Sequence, residues 1–217
     1  TLFQDKVSSY GEKVVSVEAY TPGQTDFGEP IKKLINHSDS SRNDRVATGK
    51  EYHPQQEEGI VDFDAVFIPD TFSTVALITP QLVFYNLKDV LLMGTNLWHS
   101  EELIEMTRKY VQGALVPDAF YSGSNKKKVV DFIGGYENAF QKKPKFIEAV
   151  AFDTAMMLFQ ALNLPEIKSR KELKDRLQKI RKYNGVTGIT SFKRNGEVDK
   201  KLHLFRIEKD KFVEVEN

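Results

Sequence analysis

Apolar and polar positions alternate along the chain in two distinct rhythms. Residues 14–20, Val-Val-Ser-Val-Glu-Ala-Tyr, are rich in β-formers and follow Gly11, a strand pattern. Thr21-Pro22-Gly23 turns the chain, and Asp26 can cap a helix carrying Ile31, Leu34 and Ile35. Residues 64–69, Asp-Ala-Val-Phe-Ile-Pro, read as a strand of the buried type, with a helix over 73–84 in which Pro80 is a candidate kink. A third strand spans 90–93, its helix 100–110, and a fourth short strand 113–116 ends at Pro117. Strand and helix alternating with short turns predict an α/β fold with a doubly wound parallel sheet.

Beyond Tyr121 the rhythm becomes helical. Residues 126–140, 147–162 and 169–181 predict helices, the last opened by Ser169 with Glu172 as a capping box. The end returns to strands: 190–192, an Asn195-Gly196 turn, 202–207, a turn at Lys209-Asp210, and 211–215. From His37 to about Gly59 the chain is polar and nearly free of aliphatic residues, a long loop.

Composition narrows the function classes. Thirty-one basic residues balance 31 acidic ones, so the chain lacks the positive excess with which general nucleic-acid binders neutralise phosphates. Without cysteine, disulfides, thiolate catalysis and cysteine-based metal sites are excluded. No stretch approaches the roughly 20 apolar residues of a membrane span. The chain opens in what reads as the end of a helix, as a piece of a longer protein would.

Two strand-to-helix tips carry the candidate chemistry: Pro69-Asp70-Thr71-Phe72, and Gly94-Thr95-Asn96-Leu97-Trp98-His99 within "VLLMGTNLWHS". Ligands of open α/β sheets sit outside the carboxyl ends of the strands, where such tips converge. Asp70 can take an amine or other cation, Thr95 and Asn96 offer neutral hydrogen bonds, and Trp98 an aromatic wall. The competing reading makes Ser100 a helix cap, Asn96 a turn residue and Trp98 packing beneath the loop. His99 stands beside Glu101 and Glu102, but acids at a helix start serve the helix dipole, so no catalytic residue is assigned. His37 and His53, with Asp39, Asp44, Glu51, Glu57 and Glu58, match no metal-ligand spacing, and neither metal nor cofactor is expected. Gly134-Gly135 lacks the preceding strand of a phosphate loop, and Ser124-Asn125-Lys126-Lys127 lacks the companions of a β-lactamase motif.

In this order the pieces resemble a type I periplasmic ligand-binding protein, the bilobed receptor fold of branched-chain amino-acid binding proteins. "YTPGQTDF" is similar to that family's turn into the first helix of its second lobe. "DFDAVFIPDTFSTVALITPQLVFYNLKDVLLMGTNLWHSEELI" resembles its next two strand–loop–helix units. "FIEAVAFDTAMMLFQAL" looks like its late long helix, and "GVTGITSFKRNGEVDKKLHLFRIEKDKFVEV" its closing segment. The resemblance implies a second-lobe α/β layer in residues 1–119, late helices of the first lobe in 120–200, and return strands to the second lobe in 201–217. The first lobe's opening units would be absent. It also carries ligand contacts onto Asp70, Thr71, Phe72, Thr95, Asn96 and Trp98.

"FDAVFIPD…ALITPQLVFY…LLMGTNLWHSEELI" is most similar to the branch of penicillin-binding-protein activators, envelope lipoproteins that stimulate peptidoglycan synthases. That resemblance implies a non-catalytic periplasmic domain, lipid-anchored through a segment upstream, with a peptidoglycan synthase as partner. The alternative it leaves open is the substrate-binding protein of an ABC importer, with an ABC permease as partner and a small, polar, amino-acid-like ligand.

Overall fold

A computed structural model describes residues 2–40 and 61–215. Most of the polar 37–59 stretch, with His53 and the acids near it, lies outside the described residues. The chain divides into two compact units, Thr1–Val116 with Arg206–Val213, and Pro117–Phe205 with Glu214–Asn217.

The first unit is built on a sheet of order β1-β2-β3-β7-β8. Strands β1 (Ala65–Phe67), β2 (Leu91–Met93) and β3 (Leu115–Asp118) run parallel, Phe67 opposite Met93 and Met93 opposite Leu115. At the other edge β7 (His203–Glu208) and β8 (Lys211–Glu214) form a hairpin. Its turn residues Lys209 and Asp210 are both left-handed, with φ of 48° and 60°, the conformation of a tight primed turn. Helix α1 (Leu2–Ser9) buries no residue, though Phe3 stacks on Phe67 with ring centres 4.4 Å apart.

In α2 (Gly28–Ser40) Ile31 and Ile35 sit one turn apart on the buried face, in line with Phe27. Asp26 Oδ1 accepts from the Gly28 N–H at 2.9 Å, so the expected acidic cap is present. Gln81 of α3 (Phe72–Phe84) fastens this helix start: its Oε1 accepts from Phe27 N–H at 2.7 Å, and its Nε2 donates to the Thr25 carbonyl at 2.9 Å. Helix α3 continues through Pro80 and buries Val75, Ala76, Ile78, Thr79 and Leu82. Helix α4 (Glu101–Thr107) is capped by Ser100, whose Oγ accepts from Glu102 N–H at 3.2 Å. It stops short of the expected end at 110, because Arg108 takes a φ of 43° and the chain tightens into a 3-10 turn.

One expected strand is not formed. Residues 14–20 belong to no strand or helix, and Val17 is 67% exposed. β-branched residues favour strands when they pack on a half-buried pleated surface. These have no ladder partner among the described residues, and though Tyr20 packs against the core none of them is fully buried.

The second unit holds α5 (Lys127–Phe140), α6 (Phe146–Leu162), α7 (Arg170–Leu177) and an antiparallel sheet of β4 (Tyr183–Gly185), β5 (Gly188–Phe192) and β6 (Val198–Lys200). The capping box of α7 is made as expected, Ser169 Oγ accepting from Glu172 N–H at 3.2 Å and donating to the Glu172 carboxylate at 2.9 Å. The Asn195-Gly196 turn joins β5 to β6, with Gly196 at a φ of 87°. Gly134 and Gly135 lie in mid-helix. Helix α6 buries Ala149, Asp153, Met157 and Ala161, one residue per turn. Elsewhere on it Ile147, Phe152, Phe159 and Leu162 are exposed.

Candidate functional site

Parallel register fixes where the two tips emerge. The Ile68 N–H donates to the Met93 carbonyl at 2.9 Å, and the Gly94 N–H to the Leu115 carbonyl at 3.0 Å. Residues 69–72 and 95–98 therefore leave adjacent strands at the same, carboxyl, end of the sheet.

Asp70 is the best-connected residue of the first tip. Its Oδ2 accepts from the Tyr20 hydroxyl at 2.8 Å and its Oδ1 from the Thr71 N–H at 2.6 Å. Burial works against its charge, but hydrogen bonds from the Thr71 backbone, the Tyr20 hydroxyl and the Thr74 and Thr71 hydroxyls outweigh it. The carboxyl is held below its ordinary range and ionised at neutral pH. Burial, then donation to Asp70 and the charge of Asp70, push the Tyr20 phenol well up, so it remains a donor. Thr71 is exposed, its hydroxyl 3.0 Å from that of Ser73. Phe72, half-buried in the first turn of α3, packs against the first unit's core.

At the second tip Thr95 Oγ1 accepts from the Leu97 N–H at 3.3 Å and so caps the 3-10 turn Asn96–Trp98. Asn96 is half-buried, and its side-chain amide makes no hydrogen bond to another described residue. Trp98 is placed differently from the aromatic wall expected of it. It is 0% exposed and belongs to the core, with its indole ring against Gly94. A Cβ at position 94 would overlap that ring, so glycine is what admits the indole beneath the loop. The residue is the floor of the tip. His99 packs edge-on against Phe212, ring centres 4.6 Å apart.

The site residue that sequence reasoning missed is Tyr20. It stood as the end of an expected strand, and its partner is 50 residues away. No local pattern signals such a pair.

The second unit has a polar centre of its own. Asp153, 2% exposed, accepts from the N–H groups of Val186 and Thr187, both at 2.8 Å, and from the Thr187 hydroxyl. Lys200 donates to that hydroxyl and to the Thr187 carbonyl. Gly185 passes so close to Asp153 that a Cβ there would strike the carboxylate. The arrangement pegs the β4–β5 turn to α6. Beside it lies an open, mostly apolar groove of about 530 Å³, walled by Phe132, Tyr136, Phe140, Phe152, Met156 and Tyr183.

The fold has many solved counterparts. A structure from Rhodospirillum rubrum, described as a putative branched-chain amino acid ABC transporter, superposes with a TM-score of 0.78 at 22% identity, covering 98% of this chain and 55% of that one. The leucine-binding protein LivK of Thermotoga maritima gives 0.73 at 19% identity, covering 99% and 54%. The LivJ substrate-binding protein of Streptococcus pneumoniae, solved with isoleucine, gives 0.66 at 21%, covering 99% and 56%. The present chain thus spans a little over half the length of these proteins. No curated protein matches it. The family model described as "Periplasmic binding protein" matches residues 2–211, nearly the whole sequence, and the chain belongs to that family.

Proposed function

We propose that this chain is part of a periplasmic substrate-binding protein that delivers an amino-acid-like ligand to an ABC permease. The observation that carries the reading is the pair of tips at the carboxyl end of adjacent parallel strands, with an ionised Asp70 on one and the half-buried Asn96 on the other. In this reading Asp70, Thr71, Phe72, Thr95 and Asn96 offer one lobe's share of the ligand contacts, and Trp98 supports them from below. Thr1–Val116 with the β7–β8 hairpin is the second lobe, and the helices of 120–200 belong to the first. The exposed apolar residues of α6 and the groove beside Asp153 are then open to a further part of the first lobe, as the chain spans a little over half the length of the similar structures. In this reading the role is binding without catalysis.

The structural counterparts named above are described as transporter-associated proteins or amino-acid binders. This favours transport over the synthase-activator branch that the "PQLVFY…LLMGTNLWHS" resemblance first put forward. Calorimetry on the complete protein against the twenty amino acids tests the choice. Binding of at least one, weakened by Asp70→Asn, is expected. Absence of heat across the panel, with stimulation of a purified peptidoglycan synthase, would overturn transport in favour of activation.

A further inference from the structure

We propose that Tyr20 is the specificity-determining positioning residue of this site, holding Asp70 through a neutral hydroxyl and so reserving its charge for a ligand's ammonium group. The inference rests on the reading of the two tips as a ligand site and deepens it.

The Tyr20 hydroxyl reaches Asp70 Oδ2 at 2.8 Å across 50 residues of sequence, a contact that only the folded chain makes. The phenol has little freedom to point elsewhere, because its ring meets Phe27 edge-on at 5.0 Å and 90°, and Phe27 is 1% exposed. The Thr71 N–H takes Oδ1 at 2.6 Å. A carboxylate has about four lone-pair sites, so these bonds orient the group without filling it.

The two groups in hydrogen-bond geometry with Asp70, the Tyr20 hydroxyl and the Thr71 N–H, are both neutral. No lysine, arginine or histidine forms an ion pair with it among the described residues. Neutral donors keep a half-buried carboxylate ionised and leave its charge uncancelled. A part-exposed charge held that way is open to pairing with a cation brought from outside. Of the classes a binding protein takes up, α-amino acids and small amines carry such a group, and carboxylic acids without nitrogen do not. A purely structural Tyr20, tying residues 12–21 to the tip of β1, would affect both classes alike.

The experiment uses the complete protein, with L-leucine and its amine-free counterpart 4-methylpentanoate as probes and the remaining amino acids as a panel. Tyr20→Phe keeps the ring on Phe27 and removes only the hydroxyl. The expected result is leucine, or the best amino acid of the panel, bound about tenfold more weakly, as loss of a hydrogen bond to a charged group allows. The Asp70 carboxyl, followed by carbon NMR, should titrate at higher pH, and any 4-methylpentanoate binding should be unchanged. Should Tyr20→Phe fail to fold, the near-isosteric Asp70→Asn carries the same test, and loss of preference for the amine-bearing probe supports the proposal. Equal weakening of both probes, or of neither, overturns it and leaves the ligand site standing. If no amino acid binds the unaltered protein, the proposed function falls first.

Discussion

The two units solve the same problem with different means. The first buries Phe27, Trp98, Leu103, Val116, Ile207 and their neighbours in a continuous core around a sheet. Among the described residues the second has a smaller buried cluster, Phe120, Val129, Phe132, Ala149 and Val186, and its buried helix residues include a carboxylate, Asp153. Where apolar area is short, Asp153 and its three hydrogen bonds locate the β4–β5 turn. Helix α6 shows why the core is short: it is apolar on nearly every side, yet Phe152 is 39% exposed and Phe159 57%. An all-round apolar helix is built to be covered. Among the described residues that cover is partial.

This contrast can be broken first at the Trp98 floor. Trp98→Ala should destabilise the first unit by about 4 kcal/mol, the range of large-to-small core changes. Gly94→Ala should cost about 3 kcal/mol through overpacking on the same ring. The double variant should cost less than the sum, because the added methyl then meets a cavity. Urea unfolding of the four proteins checks this, and simple additivity would disprove the contact. In the second unit Asp153→Asn should cost about 2 kcal/mol, since a charge-assisted acceptor becomes a neutral amide facing N–H donors. Hydrogen exchange at Val186 and Thr187 should quicken, with first-unit amides unaffected; uniform quickening would mean that the peg is not local. Ser169→Ala should cost about 1 kcal/mol by removing the α7 cap, seen as a lower thermal midpoint. Smallest of all, Phe159→Lys should shift stability by less than about 0.5 kcal/mol while reducing self-association in sedimentation. A loss of about 2 kcal/mol or more there would show that the face is already covered.

Much of this fold was legible in the sequence because its determinants are local. The Ile31–Ile35 spacing, the Ser100 and Ser169 caps, the Asn195-Gly196 turn and the strand–helix alternation from 64 to 116 each act within a few residues. Where the determinant is a distant partner, the reading failed or stayed open. Residues 14–20 have strand composition but no ladder. An indole at a loop tip reads equally as wall or floor until Gly94 is seen beneath it. Asp153 looks like a stray polar residue in α6 until the turn 33 residues downstream is folded onto it. The same limit hid the Tyr20–Asp70 pair, since charge and hydrogen bonding across 50 residues leave no periodic trace.

Strand β7 has one more consequence. Phe205 and Ile207, both 0% exposed, hang from the same face of six residues of backbone, the first counted with the second unit and the other with the first. Phe205 lies against Tyr121, ring centres 5.2 Å apart, and Ile207 N–H donates to the Ala114 carbonyl at 3.0 Å. Neighbouring residues of one strand are thus anchored separately, Phe205 within the second unit and Ile207 within the first. Opening of the first unit should therefore show as faster exchange of the Ile207 N–H, which its partner Ala114 otherwise protects.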